Sequence, residues 1–118
     1  MPEAVKTVED YKVAEGDVFL SFSIGEGQTG TTEVFLGTKT LLTASGDFGE
    51  LLIGNGQDLI GKKLIVRSII NDVMSNHNKM SVTYRFKGGT RARNFEADGE
   101  VATNGSLLRF RGTFTFVA

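Results

Sequence analysis

Apolar and polar residues alternate with a period of two along most of this chain. In residues 17–24, for example, Val18, Leu20, Phe22 and Ile24 fall on one side of an extended backbone. This spacing, with many Phe, Val, Ile and Thr residues, is typical of strands that bury one face. Fifteen glycines and a single proline divide the chain into short segments of this kind. The predicted strands are 17–24, 31–36, 38–44, 51–54, 62–71 and 80–87, followed by two more around 95–101 and 108–114.

The number of strands predicts the architecture. About seven or eight short antiparallel strands, each with one apolar face, favour a β-sandwich over a closed barrel. The chain has 118 residues, of which 40% are hydrophobic, and this is enough for the core of one domain. We therefore predict a single sandwich over residues 1–118 with jelly-roll-like topology. Residues 1–16 depart from the pattern, because Val5, Val8 and Tyr11 have a loose helical spacing that indicates a short helix or an arm.

The last two strands are predicted to form a hairpin. Asn104-Gly105 is a strong signal for a two-residue turn. If the turn is centred on these two residues, the register of the two strands places apolar residues together on one face and opposite charges together on the other. A slip of one residue would disrupt both faces. The opposed pairs are Phe95 with Phe114, Gly99 with Phe110, Asp98 with Arg111 and Glu100 with Arg109.

A second hairpin is predicted at the glycine pair 88–89. A two-residue turn there would place Tyr84 opposite Arg93 and Phe86 opposite Arg91. Both arginines would then lie on the core-facing side near the end of a sheet. An unpaired buried arginine is costly. We therefore expect an edge position, where the aliphatic stems cover aromatic rings and the guanidinium groups reach water.

Charge is distributed unevenly along the chain. Residues 1–58 carry ten acidic and three basic residues, a net charge of −7, whereas residues 59–118 carry ten basic and four acidic residues, a net charge of +6. If the hairpin neutralises Arg109 and Arg111, the remaining positive charge concentrates in residues 62–93. An asymmetry of this kind indicates either complementary surfaces or internal neutralisation in the folded chain.

The basic residues without an assigned partner define the predicted binding site. If strands 62–71 and 80–87 are neighbours, Arg67 and Arg85 lie side by side, and Tyr84 lies at the margin of the patch. Such a patch would suit a phosphate, an anionic glycan or an acidic protein surface. The predicted ligand-binding or partner-binding residues are Lys63, Arg67, Tyr84, Arg85, Lys87, Arg91 and Arg93.

Composition narrows the chemistry. The absence of cysteine excludes a disulfide framework, a thiolate zinc site and a cysteine nucleophile. His77 is the only histidine and lies in a polar run that we predict to be a solvated loop. We therefore expect no cofactor and no metal. A calcium site assembled from two distant loops stays open, because Asn55–Asp58 and Asn71–Asp72 offer oxygen ligands, although turn chemistry explains both segments.

Composition also bears on partners and location. The net charge of −1 gives no reason to expect nucleic-acid binding. No apolar run approaches the length of a membrane span, roughly 20 residues. No basic segment followed by an apolar one marks a secretory signal near the N-terminus, which favours the cytoplasm.

Two motifs resemble catalytic or nucleotide-binding elements. Residues 25–30 match G-x-G-x-x-G, but β-branched and aromatic residues follow instead of a helix, so a loop between strands is predicted. Glu96, Asp98 and Glu100 alternate along one strand face and could suggest a metal site or a glycosidase pair. Side chains two residues apart on a strand point outward in parallel, roughly 6.5–7 Å apart. We therefore predict structural ion pairing for these carboxylates.

Three functional hypotheses follow. The first is a non-catalytic assembly or interaction module that binds itself, as a homo-oligomer, or another protein through an acidic N-terminal half and a basic 62–93 surface. The second is a binding module for a glycan or other anionic ligand on the basic sheet face. The third is an enzyme that uses Asp98 and Glu100, and we do not favour it.

Overall fold

The computed structural model describes residues 4–71, 73, 79–101 and 106–118, and most of these residues lie in strands. The strands and one short helix are β1 (Val5–Lys12), β2 (Asp17–Gly25), β3 (Thr29–Leu36), β4 (Lys39–Ser45), β5 (Phe48–Asn55), α1 (Gly56–Leu59), β6 (Lys63–Asn71), β7 (Lys79–Lys87), β8 (Arg93–Glu100) and β9 (Leu107–Val117).

The strands form two sheets that pack face to face. A five-stranded sheet has the order β1-β9-β6-β3-β4, and a four-stranded sheet has the order β5-β2-β7-β8. All neighbouring strands are antiparallel except β1 and β9, which run parallel. The predicted all-β sandwich is confirmed, with nine strands in the described residues. The jelly-roll topology is not confirmed.

The N-terminal segment is a strand and not the predicted short helix. β1 adds to the edge of the five-stranded sheet, where Val5 lies opposite Phe110 and Tyr11 opposite Phe116. The helical spacing required Val5, Val8 and Tyr11 to share one buried face. In the strand, Tyr11 is buried, whereas Val8 points to solvent and is 72% exposed. Pairing with β9 therefore overrides the weak local preference of this segment.

Aromatic rings from both sheets form the centre of the core. Phe86 of β7 packs against Phe114 of β9 with ring centroids 4.7 Å apart, and Tyr84 contacts the same ring at 5.1 Å. Tyr11 stacks on Phe86 at 4.9 Å, so the N-terminal strand contributes to this cluster. Pairs of this kind stabilise a core by about 0.5–1.5 kcal/mol beyond their buried area.

The hairpin at 88–89 is confirmed, with a different register. β7 and β8 pair antiparallel, but Tyr84 lies opposite Phe95 and Phe86 opposite Arg93. The predicted register is wrong by two residues, because residues 88–92 all belong to the connection and the turn is longer than two residues. A shift of two keeps every side chain on its predicted face.

The predicted hairpin between β8 and β9 is wrong. β8 belongs to the four-stranded sheet and β9 to the five-stranded sheet, so the two strands face each other across the core. The predicted apolar partners still meet there: the Phe95 and Phe114 centroids are 5.4 Å apart, and a Cβ added to Gly99 would lie 3.4 Å from the Phe110 ring. The turn predicted at Asn104-Gly105 lies outside the described residues.

Two of the predicted loops have defined roles. Within the glycine-rich segment 25–30, residues 26–28 connect β2 to β3, with Glu26 at a φ of 61° and Gly27 at 74°. Asn55 caps α1, because its side-chain oxygen accepts a hydrogen bond from the Gln57 N–H at 3.0 Å. Both observations agree with the predicted turn chemistry of these segments.

Candidate functional site

The predicted basic patch is divided between the two sheets. β6 lies in the five-stranded sheet and β7 in the four-stranded sheet, so Arg67 and Arg85 are not neighbours. The assumption that these strands are adjacent is wrong, because the connection after β6 crosses from one sheet to the other. Tyr84 does not line the patch either, since its side chain is fully buried in the core. Lys63 lies at the start of β6, opposite Thr115 and exposed.

The basic residues of β7 have partners from the acidic half of the chain. Lys87 Nζ lies 2.6 Å from a carboxylate oxygen of Glu50 on the surface. Arg85 donates a hydrogen bond to Ser23 Oγ at 3.0 Å. Exposed pairs of this kind contribute only about 0.2–1 kcal/mol. The Lys87–Glu50 pair joins a base of residues 62–93 to an acid of residues 1–58.

Arg91 and Arg93 lie at the end of the β7–β8 hairpin. The Arg93 guanidinium carbon is 4.8 Å from the centre of the Phe95 ring, and the residue is exposed, as predicted for an arginine at a sheet end. The Arg91 carbonyl accepts a hydrogen bond from the Tyr11 hydroxyl at 2.9 Å, and the Gly89 N–H donates to the same hydroxyl at 3.0 Å. Burial raises the pKa of Tyr11, although the Gly89 hydrogen bond and the Arg93 charge act in the opposite direction.

The outer face of the five-stranded sheet carries a cluster of positive charge that the sequence did not predict. Arg111 of β9 lies directly opposite Arg67 of β6. On its other side, Arg111 lies opposite Lys6 of β1. Arg109 is two residues before Arg111 on the same face of β9. We call Lys6, Arg67, Arg109 and Arg111 the basic face.

A shallow groove runs along the basic face. Its volume is about 420 Å³, and its walls include the side chains of three arginines together with Thr31, Glu33 and Ile69; the arginines are Arg67, Arg109 and Arg111. Guanidinium groups bind carboxylate, phosphate and sulfate oxygens through paired hydrogen bonds. The groove therefore has the chemistry of an anion site.

One carboxylate moderates the charge of the groove. Glu33 of β3 lies opposite Arg67, and its Oε1 is 3.5 Å from Arg67 Nη2. The Arg67 guanidinium also lies 5.3 Å from the centre of the Phe35 ring. No carboxylate of the described residues forms an ion pair with Arg111. Like charges directly opposite on neighbouring strands destabilise a sheet, so Arg67 and Arg111 repel each other, and Glu33 reduces that repulsion.

The basic face was missed from the sequence because of the predicted hairpin between the last two strands. That hairpin paired Arg111 with Asp98 and Arg109 with Glu100, so both arginines were left out of the candidate binding residues. In the structure those carboxylates lie on the outer face of the opposite sheet. The sequence signal that remained was the alternation of Arg109 and Arg111 on a strand with one buried face. The position of Lys6 could not be predicted, because it depends on the parallel addition of β1 to β9.

The predicted carboxylate triplet lies on β8. Glu96, Asp98 and Glu100 are all exposed on its outer face, and Glu100 lies opposite Lys79 of β7. We call these three residues the acidic strip. Among the described residues, no group of three or more histidine and carboxylate side chains is placed to hold a metal ion. His77 and Asp72 lie outside the described residues.

The buried polar side chains of the described residues tie loops to strands. The Gln28 amide nitrogen donates to the Lys79 carbonyl at 3.0 Å, and its amide oxygen accepts from the Val73 N–H at 2.7 Å. Thr32 and Ser68 share a buried hydrogen bond of 2.9 Å between β3 and β6. These hydrogen bonds give Gln28, Thr32 and Ser68, three of the buried polar residues, a structural role.

The described residues contain no helix with the length and apolar character needed to cross a bilayer. Comparisons with protein-family models, with curated proteins and with solved structures find no match to this chain.

Proposed function

We propose that this chain is a non-catalytic binding module that takes an anionic partner on the basic face. The observation that carries the proposal is the alignment of Lys6, Arg111 and Arg67 across three neighbouring strands of one sheet. A row of like charges on a sheet decreases its stability through repulsion. A ligand with anionic oxygen atoms would neutralise these charges, and the repulsion that it removes would strengthen its binding.

The spacing of the basic face favours an extended ligand with several charges. Neighbouring strands lie about 4.8 Å apart, and Arg109 and Arg111 are separated by about 6.5–7 Å along β9. A single small anion would contact two of these groups. A run of carboxylates or sulfates would reach the four basic residues in two directions. The exposed side chain of Ile69 adds an apolar contact within the groove.

The proposal revises the surface on which binding was predicted. The hypothesis of an anionic ligand stays, but its residues become Lys6, Arg67, Arg109 and Arg111. Arg85 and Lys87 lie on the opposite outer face and already contact Ser23 and Glu50. Substitution of Arg85 and Lys87 by glutamine therefore provides a control that removes the same amount of charge as substitution of Arg109 and Arg111.

Binding can be measured with two labelled probes, a hexaglutamate peptide and a sulfated oligosaccharide, titrated with the protein in fluorescence anisotropy. We expect the variant R109Q/R111Q to bind at least about tenfold more weakly, since each lost charge-assisted hydrogen bond is worth about 1.5–3 kcal/mol. The control R85Q/K87Q should bind like the wild type. The two probes distinguish a carboxylate partner from a sulfated one.

The stability of the variants adds a second readout. R111Q should unfold at the same or a higher urea concentration than the wild type, because it removes a positive charge that lies opposite both Arg67 and Lys6. Equal loss of binding in the control variant would show that attraction is spread over the whole surface, and the proposal would then be wrong. Weak binding that accompanies a large loss of stability would also contradict it.

A further inference from the structure

The acidic strip and the basic face have matched spacing and opposite sign. Glu96, Asp98 and Glu100 occupy every second position of β8, as Arg109 and Arg111 do on β9. Both sets therefore repeat at about 6.5–7 Å along their strands. A strand that presents the acidic strip can place consecutive carboxylates on consecutive arginines.

The two surfaces also have opposite charge. The acidic strip has three carboxylates and faces one base, Lys79, across the strand pair. On the basic face, Lys6 and Arg111 lie opposite each other, and Arg67 lies beside one carboxylate, Glu33. Complementary potentials of this kind steer association and fix the register of the partners.

The position of the strip makes it accessible. β8 is the last strand of the four-stranded sheet, and all three carboxylates are exposed. The basic face lies on the outside of the other sheet. One copy of the chain therefore cannot bring its own two surfaces together, whereas two copies can.

We infer that the partner of the basic face is the acidic strip of a second copy of this chain; this inference rests on the proposed function. Because the two surfaces differ and lie on opposite sides of the sandwich, the contact is head-to-tail. Each added copy leaves one basic face and one acidic strip open. Contacts of this type continue until they close a ring or extend as a filament.

Two variants test the inference, each lacking one of the two surfaces. Neutral substitutions are used so that no new attraction is introduced. The variant E96Q/D98N/E100Q loses the acidic strip and keeps the basic face. The variant R67Q/R109Q/R111Q loses the arginines of the basic face and keeps the acidic strip.

Mass is measured by analytical ultracentrifugation over a range of concentrations, at about 20 mM and about 500 mM salt, since the higher concentration screens surface charges over a few ångströms. At low salt the wild type should exceed the mass of a dimer and return to a monomer at high salt. Each variant alone should remain a monomer of 12.8 kDa. An equal mixture of the two variants should form a complex of two chains and nothing larger, because only one complementary contact remains.

Matched controls remove the same number of charges elsewhere. The control for the acids, E15Q/E50Q/D58N, removes three exposed carboxylates outside the acidic strip. The control for the bases, K39Q/R85Q/K87Q, removes three positive charges outside the basic face. Both controls should assemble like the wild type.

Other outcomes would overturn the inference. A wild type that stays monomeric at low salt up to millimolar concentration excludes self-association, and so does assembly by either variant alone. Complexes larger than two chains in the mixture would show that other surfaces take part. The hexaglutamate titration separates the two proposals. A monomeric wild type that binds this probe through Arg109 and Arg111 keeps the proposed function, whereas the absence of both assembly and probe binding removes both.

Discussion

The two tyrosines of the chain give opposite predictions for the same substitution. Tyr84 is fully buried, and its hydroxyl has no hydrogen-bond partner among the described residues. Tyr11 is also buried, but its hydroxyl donates to the Arg91 carbonyl at 2.9 Å and accepts from the Gly89 N–H at 3.0 Å. Replacement by phenylalanine removes one oxygen atom and keeps the ring in each case.

The magnitudes follow from the state of each hydroxyl. A buried polar group without a partner costs about 1–3 kcal/mol. Y84F removes that group and retains the ring contacts with Phe22 and Phe114. We therefore expect Y84F to increase the free energy of unfolding by about 1 kcal/mol. Y11F leaves the Arg91 carbonyl and the Gly89 N–H without their partner, so we expect it to decrease the free energy of unfolding by about 1–2 kcal/mol.

Urea denaturation followed by intrinsic fluorescence measures both values. The slope of the free energy with urea should be unchanged, since neither substitution alters the area exposed on unfolding. The corresponding shift in melting temperature is about 4 °C per kcal/mol for a chain of this size. A loss of 1 kcal/mol or more in Y84F would refute the reasoning, because it would mean that the hydroxyl makes a favourable contact in the folded protein. Equal effects of the two substitutions would refute it as well.

Three further predictions follow from buried groups. Burial raises the pKa of Tyr84, so ionisation of this tyrosine favours the unfolded chain, and stability falls as the pH rises through and above the unfolded pKa of about 10. Urea midpoints from pH 9 upward should therefore fall less steeply with pH in Y84F than in the wild type, and an equal pH dependence would contradict this. G112A should destabilise by about 1–3 kcal/mol, because its Cβ would lie 2.6 Å from the Phe114 ring, and an unchanged thermal midpoint would exclude the clash. Q28L should decrease the free energy of unfolding by about 1–3 kcal/mol, because it removes two hydrogen bonds of the buried Gln28 side chain, one to the Lys79 carbonyl and one from the Val73 N–H. Faster hydrogen exchange at the Val73 amide would locate that loss, whereas unchanged exchange there would contradict the role of Gln28.

Strand positions could be predicted from the sequence because they depend on local alternation. Val18, Leu20 and Phe22 are all buried on one face of β2, as their period of two requires. The segment 62–71 has apolar residues on both faces, as is typical of a central strand, and β6 lies in the middle of its sheet. These properties follow from burial of one or both faces and need no knowledge of the partner strands.

The partner of β9 could not be predicted, and the reason is physical. Consecutive strands can pair side by side as a hairpin or face each other across the core as an arch. Both arrangements bring Phe95 to Phe114, so complementary apolar positions do not distinguish them. The charged positions do differ between the two. A hairpin joins Asp98 to Arg111, whereas the arch turns these side chains to opposite sides of the molecule. Whether Arg109 and Arg111 belong to a candidate site therefore depended on a choice that local patterns leave open.

The parallel pairing of β1 with β9 has a consequence for how the protein is made. Val5 pairs with Phe110, so about one hundred residues separate the two partners along the chain. Contacts of such long range form late, because the loop between them must first be ordered. During synthesis the ribosome releases residues 5–12 long before residues 110–117, so β1 has no partner for most of translation. The five-stranded sheet can therefore be completed only after synthesis of β9.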